Sequence, residues 1–260
     1  MFDIDLPYDR GRMHLSLPDE SVVGVLAGKQ GDFTPDAGQE ELVERALDTP
    51  YDSPTLEQLC QGKRDIVIIS SDHTRPVPSR VTMPILLRRI HAAAPEAHVR
   101  ILVATGMHRA STHEELVDKY GERIVAEEEI VMHVATDDEA MVAIGTLPSG
   151  GECIINRIAA EADLLLAEGF IEPHFFAGFS GSRKSVLPGV ASYKTIMYNH
   201  NGQFVHDPRS RAGIIEGNRV HDDMMAAAEM GYLGHYNKNK VSPFERFEVG
   251  GDGMSGYNMY

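Results

Sequence analysis

The sequence predicts an α/β fold: a Rossmann-like, mainly parallel sheet flanked by helices. Three observations carry this reading. Short apolar runs, DIVIIS at 65–70, HVRILVA at 98–104 and DLLLA at 163–167, have the length and composition of strands buried on both faces. Segments with helical spacing stand between them, and that alternation is the pattern of a parallel sheet. Each run also opens into a loop that carries ionisable residues, as ligand-binding edges of such sheets do.

In chain order, residues 1–25 read as short strands separated by Pro7 and Pro18. Residues 36–47 read as a helix, with Pro35 near its start and Leu42, Val43, Ala46 and Leu47 on one face. After the 65–70 strand, residues 79–94 repeat apolar positions at Val81, Ile85, Leu86 and Ile90, with Pro84 expected to kink that helix or shift its start. Beyond the 98–104 strand, Ser111 or Thr112 opens a helix, with Glu114 or Glu115 completing a capping box. Residues 142–146 and 152–156 flank LPSGG as a hairpin. The 163–167 strand follows, and residues 219–229 form a last helix. One domain is expected over 1–230. Residues 231–260 mix Gly, Asn and Tyr without periodicity and read as an irregular tail.

Composition narrows the function. With 42% hydrophobic and 24% charged residues, the 260-residue chain is that of an ordinary soluble globular protein. A formal charge of −15 repels nucleic acid and anionic membrane, so an anionic ligand must be drawn by local Arg and Lys. Cys60 and Cys153 are too few and too far apart for a disulfide framework or a CxxC metal site. No signal-like or membrane-spanning run is found. A soluble, cytoplasmic protein is expected.

The three strand ends concentrate the chemistry. They lead to Asp72, His73, Thr74 and Arg75, to His108 and Arg109, and to His174, Arg183 and Lys184. If the strands are neighbours in one parallel sheet, these groups meet in one crevice. Blander roles compete. Asp72 can be a turn or helix cap, Arg75 before Pro76 a solvated loop residue, and His200, ahead of Asn201-Gly202, a partner for a helix C-terminus. His14, His91, His98, His113, His133, His206, His221 and His235 are read as structural. His108 and His174 stand out because each lies on a glycine-bearing loop after a buried strand.

The loop around 169–189 combines Phe175, Phe176 and Phe179 with His174, Arg183 and Lys184, and its glycines at 169, 178, 181 and 189 allow positive φ and close approach of a ligand. It is not a P-loop. Arg183 stands where the glycine before the lysine is needed, and Gly178 and Gly181 are three apart. A phosphate or nucleotide held by this loop stays open. Two histidines can serve as acid and base near neutrality, an arginine can hold a carboxylate through two hydrogen bonds, and a histidine can ligate a transition metal. No HExxH or comparable zinc motif is present. The residues thus describe a carboxylate-binding acid–base site with room for a bound cofactor.

SDHTRPVPS, ATGMHR, EPHFFAGFSGSRKSVLPG and YNH resemble the nickel-dependent lactate racemase family, specifically its N-terminal domain, over roughly residues 5–230. The resemblance implies racemisation or epimerisation of a 2-hydroxy acid, lactate first, by hydride transfer to a nickel-pincer cofactor through a 2-oxo acid. That cofactor is a pyridinium-3,5-bisthiocarboxylic acid mononucleotide carrying nickel. Carried over, Lys184 binds it covalently as a thioamide and His200 is the protein ligand to nickel. Asp72, His73, Thr74 and Arg75 border the cofactor, Arg75 also holds the substrate carboxylate, and His108 and His174 are the acid–base pair. The implied partners are a small 2-hydroxy acid and the enzymes that make the cofactor. Family members continue into a second α/β domain that is absent here, so an inactive fragment or cofactor-binding module is the alternative. A nickel-independent enzyme with a phosphorylated ligand is the third reading.

Overall fold

The computed structural model describes residues 1–8, 11–25, 34–51, 53–181, 183–233 and 248–250. The chain divides into two compact units, Met1–Asp36 and Ala37–Tyr260. In the first, β1 (Phe2–Tyr8) and β2 (Gly11–Leu17) pair antiparallel from Phe2↔Leu17 to Tyr8↔Gly11. Pro7 lies inside β1 opposite Arg12 and does not separate two strands. A two-stranded sheet has two outer edges, where the missing N–H costs nothing.

The second unit opens with α1 (Gln39–Asp48) and α2 (Leu56–Cys60), the latter outside the sequence expectation and started by a Thr55/Gln58 capping box. Helix α1 starts three residues later than expected, with Gly38 as its N-cap. Strand β3 (Asp65–Ser71) leads to α3 (Ser79–Ala93), β4 (His98–Ala104), α4 (His113–Tyr120), α5 (Glu122–Glu127) and β5 (Glu129–Met132). Helix α3 continues through Pro84, and of the two expected capping boxes Thr112 with Glu115 is the one formed. The hairpin of β6 (Met141–Thr146) and β7 (Glu152–Asn156) is antiparallel as expected. There follow α6 (Arg157–Glu161), β8 (Leu164–Gly169), the short pair β9 (Pro173–His174) and β10 (Gly178–Phe179), then α7 (Arg183–Val186), α8 (Tyr193–Asn199), α9 (Gly202–Val205) and α10 (Arg219–Leu233).

The main sheet has the order β11-β8-β3-β4-β5 and every pairing is parallel. Its outermost strand, β11 (Glu248–Gly250), pairs Val249 with Glu168. The stretch expected to be an irregular tail therefore contributes the end of α10 and this strand, while 234–247 and 251–260 lie outside the described residues. The apolar runs explain the layering. Ile66, Ile68, Val99, Ile101, Val103, Leu164 and Leu166 face a core shared with Leu47, Leu56, Met83, Leu86 and Ile90 from α1, α2 and α3. The alternate positions Val67, Ile69, Leu102, Leu165 and Ala167 face a second core built with Ile155, Val186, Met224 and Ala227. Helices thus cover both faces, which is why these strands are continuously apolar. Among the described residues no helix is long and apolar enough to cross a membrane.

Candidate active site

Strand β3 lies between β4 and β8, with Ser71 beside Ala104 and Ser70 beside Glu168. Because all three run parallel, their following loops leave the same edge of the sheet, as the sequence required. Gly106, at φ 55°, turns the loop after β4, and its N–H donates to the Gly189 carbonyl (2.9 Å), which ties that loop to the glycine-rich one. A side chain at Gly189 would run into the Ser185 carbonyl, so this junction excludes one.

Asp72 is 2% exposed, and both of its carboxylate oxygens are used inside the protein. Oδ1 accepts from the Thr74 N–H (2.9 Å) and hydroxyl (2.6 Å), closing a turn over the loop. Oδ2 lies 2.6 Å from His108 Nδ1. Burial alone would raise the Asp72 carboxyl, but the hydrogen bonds from Thr74 and His108 outweigh it and hold the group below its ordinary value. An ionised carboxylate only accepts, so His108 Nδ1 carries a proton, and Nε2 is the nitrogen left to the half-exposed side of the ring.

A second cluster forms around Phe176. The His174 ring stacks on Phe175 (4.7 Å between centroids) and meets Phe176 edge-on (4.6 Å). His200 meets the same Phe176 edge-on at 5.2 Å, and Lys184 Nζ stands 5.8 Å from its centroid. The β9–β10 pairing that sets this arrangement needs Gly178 at φ 79°, where an added Cβ would meet the Ile214 carbonyl at 2.6 Å. His174 Nδ1 accepts from the Ala177 N–H (3.3 Å).

Positive charge reaches the second cluster from the loop after β3 through Arg75. His174 is lowered to about 4 by burial and then by the positive charges of Lys184, His200, Arg75 and Arg183. Lys184 is lowered to about 7, by burial first and then by Arg183 and Arg75. His200 is lowered to about 4 by burial and by Lys184. The site therefore holds neutral imidazoles and an amine that is partly unprotonated near neutrality, the form a nucleophile requires. His200 caps α8, yet a ring so disfavoured as a cation is not a charge partner for the helix end.

The other expected site residues are placed as follows. Arg75 is exposed, and among the described residues its guanidinium forms no ion pair, with one long bond to the Thr74 hydroxyl (3.3 Å). His73 turns to Ser111 (Nδ1–Oγ 3.0 Å) and Glu115 (Nε2–Oε1 3.5 Å). Arg183 does not face the crevice. Its buried guanidinium donates to the carbonyls of Ala177 (3.0 Å), Phe179 (2.6 Å) and Ser180 (3.3 Å), stapling the loop from within. Arg109 pairs with Glu115 at the surface. His133, read as structural, is buried between the Ala191 carbonyl and Asn156. Sequence reasoning missed Phe176 as the common contact of His174, Lys184 and His200, and it missed the buried Glu168.

Among the described residues the buried ring nitrogen His200 Nδ1 has no hydrogen-bond partner, and it lies near a desolvated lysine. That pair fits a group needing one imidazole ligand and one covalent amine. Among the described residues no group of three or more His, Cys, Asp or Glu could hold a metal by itself. Residues 8–213 match the lactate racemase N-terminal domain family. The chain belongs to this family. It is 60% identical over 233 residues to the lactate racemase of Lactiplantibacillus plantarum, covering 90% of this chain and 55% of that protein. It is 49% identical over 233 residues to the lactate racemase of Thermoanaerobacterium thermosaccharolyticum, again covering 90% and 55%. The structure of that lactate racemase apoprotein superposes with a TM-score of 0.81, over 89% of this chain and 54% of that one. A Thermotoga maritima protein, 22% identical with a TM-score of 0.64 over 82% and 50%, shares the fold. The chain thus spans about half the length of the family members it matches.

Proposed function

We propose that this chain is the cofactor-bearing part of a nickel-pincer-dependent racemase or epimerase of a 2-hydroxy acid, with lactate as the first candidate substrate. The observation that carries the reading is the cluster of Lys184, His200 and His174 around Phe176, together with the Asp72–His108 pair on loops that leave the same sheet edge. Lys184 would hold the pyridinium-3,5-bisthiocarboxylic acid mononucleotide covalently, and His200 would supply the protein ligand to nickel. Two features support these assignments: the Lys184 amine is lowered to about 7, and His200 Nδ1 is unpartnered. When bound, that group would supply a reversible acceptor for the hydride on C2 of a 2-hydroxy acid.

The chain's own residues handle the carboxylate and the protons. Arg75, exposed and without an ion pair, takes the substrate carboxylate as a fork. His108 removes the hydroxyl proton at Nε2, and Asp72 stabilises the imidazolium that results while fixing the ring. His174 acts on the other face, which inversion of one stereocentre requires. In this chain its ring is held low by burial first and then by the neighbouring positive charges, Lys184 foremost. Asp72, His73, Thr74 and Arg75 border the cofactor as a loop, and the Asp72 carboxylate itself is committed to Thr74 and His108.

A cofactor-binding module that does not turn over substrate alone is the second reading, for which the same Lys184 and His200 suffice. The test is co-expression with the cofactor-synthesis enzymes, followed by intact-protein mass, nickel analysis and incubation with one lactate enantiomer. A mass increment on Lys184 with bound nickel and appearance of the other enantiomer supports the racemase. The increment with no turnover supports the module, and no increment overturns both.

A further inference from the structure

A carboxylate lies beneath the candidate site and takes no part in the chemistry above. Glu168, 0% exposed, sits near the carboxyl end of β8, level with Ser70 of β3. Its Oε1 accepts from the Ser70 hydroxyl (3.0 Å) and from the Ser79 hydroxyl, and its Oε2 accepts from the Thr82 hydroxyl. The Tyr120 hydroxyl donates to Ser70 Oγ (2.9 Å) and extends the network. Lys119 adds a largely buried ammonium 3.4 Å from Ser71 Oγ, within the electrostatic reach of both Glu168 and Asp72.

The placement of the donors matters more than their number. Ser70 is next to last in β3 and Ser79 is first in α3, so a single carboxylate oxygen is bonded to both ends of loop 71–78. That loop carries Asp72, His73, Thr74 and Arg75. Pro76 and Pro78 have no N–H to donate, and the backbone bond from the Arg75 N–H to the Asp72 carbonyl is long at 3.3 Å. The bonds the loop makes for itself, at the Asp72–Thr74 turn and from the Ser79 N–H to the Val77 carbonyl (2.8 Å), are local, and none of them joins its two ends. A buried carboxylate accepting from three hydroxyls is also costly to disturb, since each donor would be left unpaired.

We propose that Glu168 is a positioning residue, which clamps loop 71–78 by both ends against β8 and so sets where Asp72, and through it His108, stand at the crevice. Its functional weight rests on the reading given above, but its test does not, because no cofactor or turnover enters it. The measurement is amide hydrogen exchange at Thr74 and Arg75, with the side-chain 15N signals of His108, on this chain. Glu168→Leu removes the acceptor at similar volume. Exchange at Thr74 and Arg75 is expected to quicken by roughly tenfold or more, the size of losing one buried charge-assisted bond. His108 loses the signature of a proton fixed on Nδ1, while exchange in β4 and α10 stays as in the parent.

Glu168→Gln restores both, because its amide oxygen still accepts from Ser70 and Ser79. Its NH2 can donate to Thr82, whose hydroxyl turns to the Pro78 carbonyl, already 3.3 Å away. A folded leucine variant with unchanged exchange and an unchanged His108 signal overturns the proposal, as does a glutamine variant as disturbed as the leucine one. Should Glu168→Leu fail to fold, Ser79→Ala decides by removing only the far-end donor. Faster exchange at Thr74 and Arg75 then supports the clamp, and parental exchange overturns it.

Discussion

Replacing Asp72 by Asn tests whether His108 is oriented by its buried partner or merely rests beside it. The change keeps the volume and leaves an amide oxygen to accept from the Thr74 N–H and hydroxyl, so the turn at 72–74 survives. What changes is the 2.6 Å contact to His108 Nδ1, where an acceptor is replaced by an NH2 donor. Nδ1 must then accept, and the ring proton moves to Nε2, the atom that faces the crevice. A hydrogen bond to a charged group contributes about 1.5–3 kcal/mol, which corresponds to a shift of roughly 10- to 150-fold in tautomer ratio. The assay is long-range 1H–15N NMR of the histidine side chains, which separates the two tautomers, on Asp72→Asn beside the parent at neutral pH. In a loaded protein that supplies the remaining length of the relatives, turnover should fall by roughly two to four orders of magnitude, since the base would be capped by its own proton. The same tautomer in both proteins, or turnover within a few-fold of the parent, would refute the orienting role.

Lys184→Ala should abolish the covalent mass increment, whereas His200→Ala should keep it and lose nickel; intact-protein mass and metal analysis read the two separately. Changing His174 to Ala should slow racemisation in both directions by roughly two or more orders of magnitude, the usual size of acid–base effects, and full activity by chiral chromatography would dismiss it as one of the pair. Stability should fall with acid. Burial holds His133 at about 4 against an ordinary 6.5, so the unfolded chain takes up the proton first and folding weakens as pH drops from 6.5 towards 4. The slope is about 1.4 kcal/mol per pH unit for each such histidine, and a urea midpoint that stays flat over that range would count against it.

The shared sheet edge was legible because buried parallel strands are continuous apolar runs, and a run that stops at a polar loop marks its own carboxyl end. DIVIIS and DLLLA needed no partner to be recognised. Strand β5 was harder. Glu129-Ile-Val-Met follows an acidic stretch at the rim of the sheet and has no alternation or length to separate it from α5. Side-chain direction was not legible at all. His73 and Arg75 are two apart, yet one turns to Ser111 and Glu115 while the other stays at the exposed face. Arg183 stands beside Lys184, but three carbonyls of its own loop take up its donors. Glu168 was invisible for a different reason: its partners Ser70, Ser79 and Thr82 lie 98, 89 and 86 residues away. A strand-end glutamate reads as solvated until the pairing of β8 with β3 encloses it.

The charge pattern of the site connects these observations to a class of ligand. A chain of net charge −15 has gathered Arg75, Arg183, Lys184, His174 and His200 so closely that the surrounding positive charge helps to depress His174, Lys184 and His200. Burial is the first cause in all three cases, and the mutual repulsion adds to it. Such a cluster is a poor way to stabilise a fold, because each proton taken up makes the next less favourable. It is a good way to bind an anion, since an incoming carboxylate or phosphate relieves the repulsion and the burial strengthens each new contact. Arg183 spends its hydrogen bonds on the loop but not its charge, which still acts on His174 and Lys184. The groups left with capacity are Arg75, the half-neutral Lys184 and the two imidazoles around Phe176. A hydroxy-acid carboxylate and a nucleotide phosphate both satisfy that demand, and an uncharged alcohol does not. On this reasoning the site should take lactate or glycolate in preference to the corresponding amides, whatever the identity of the group beside them.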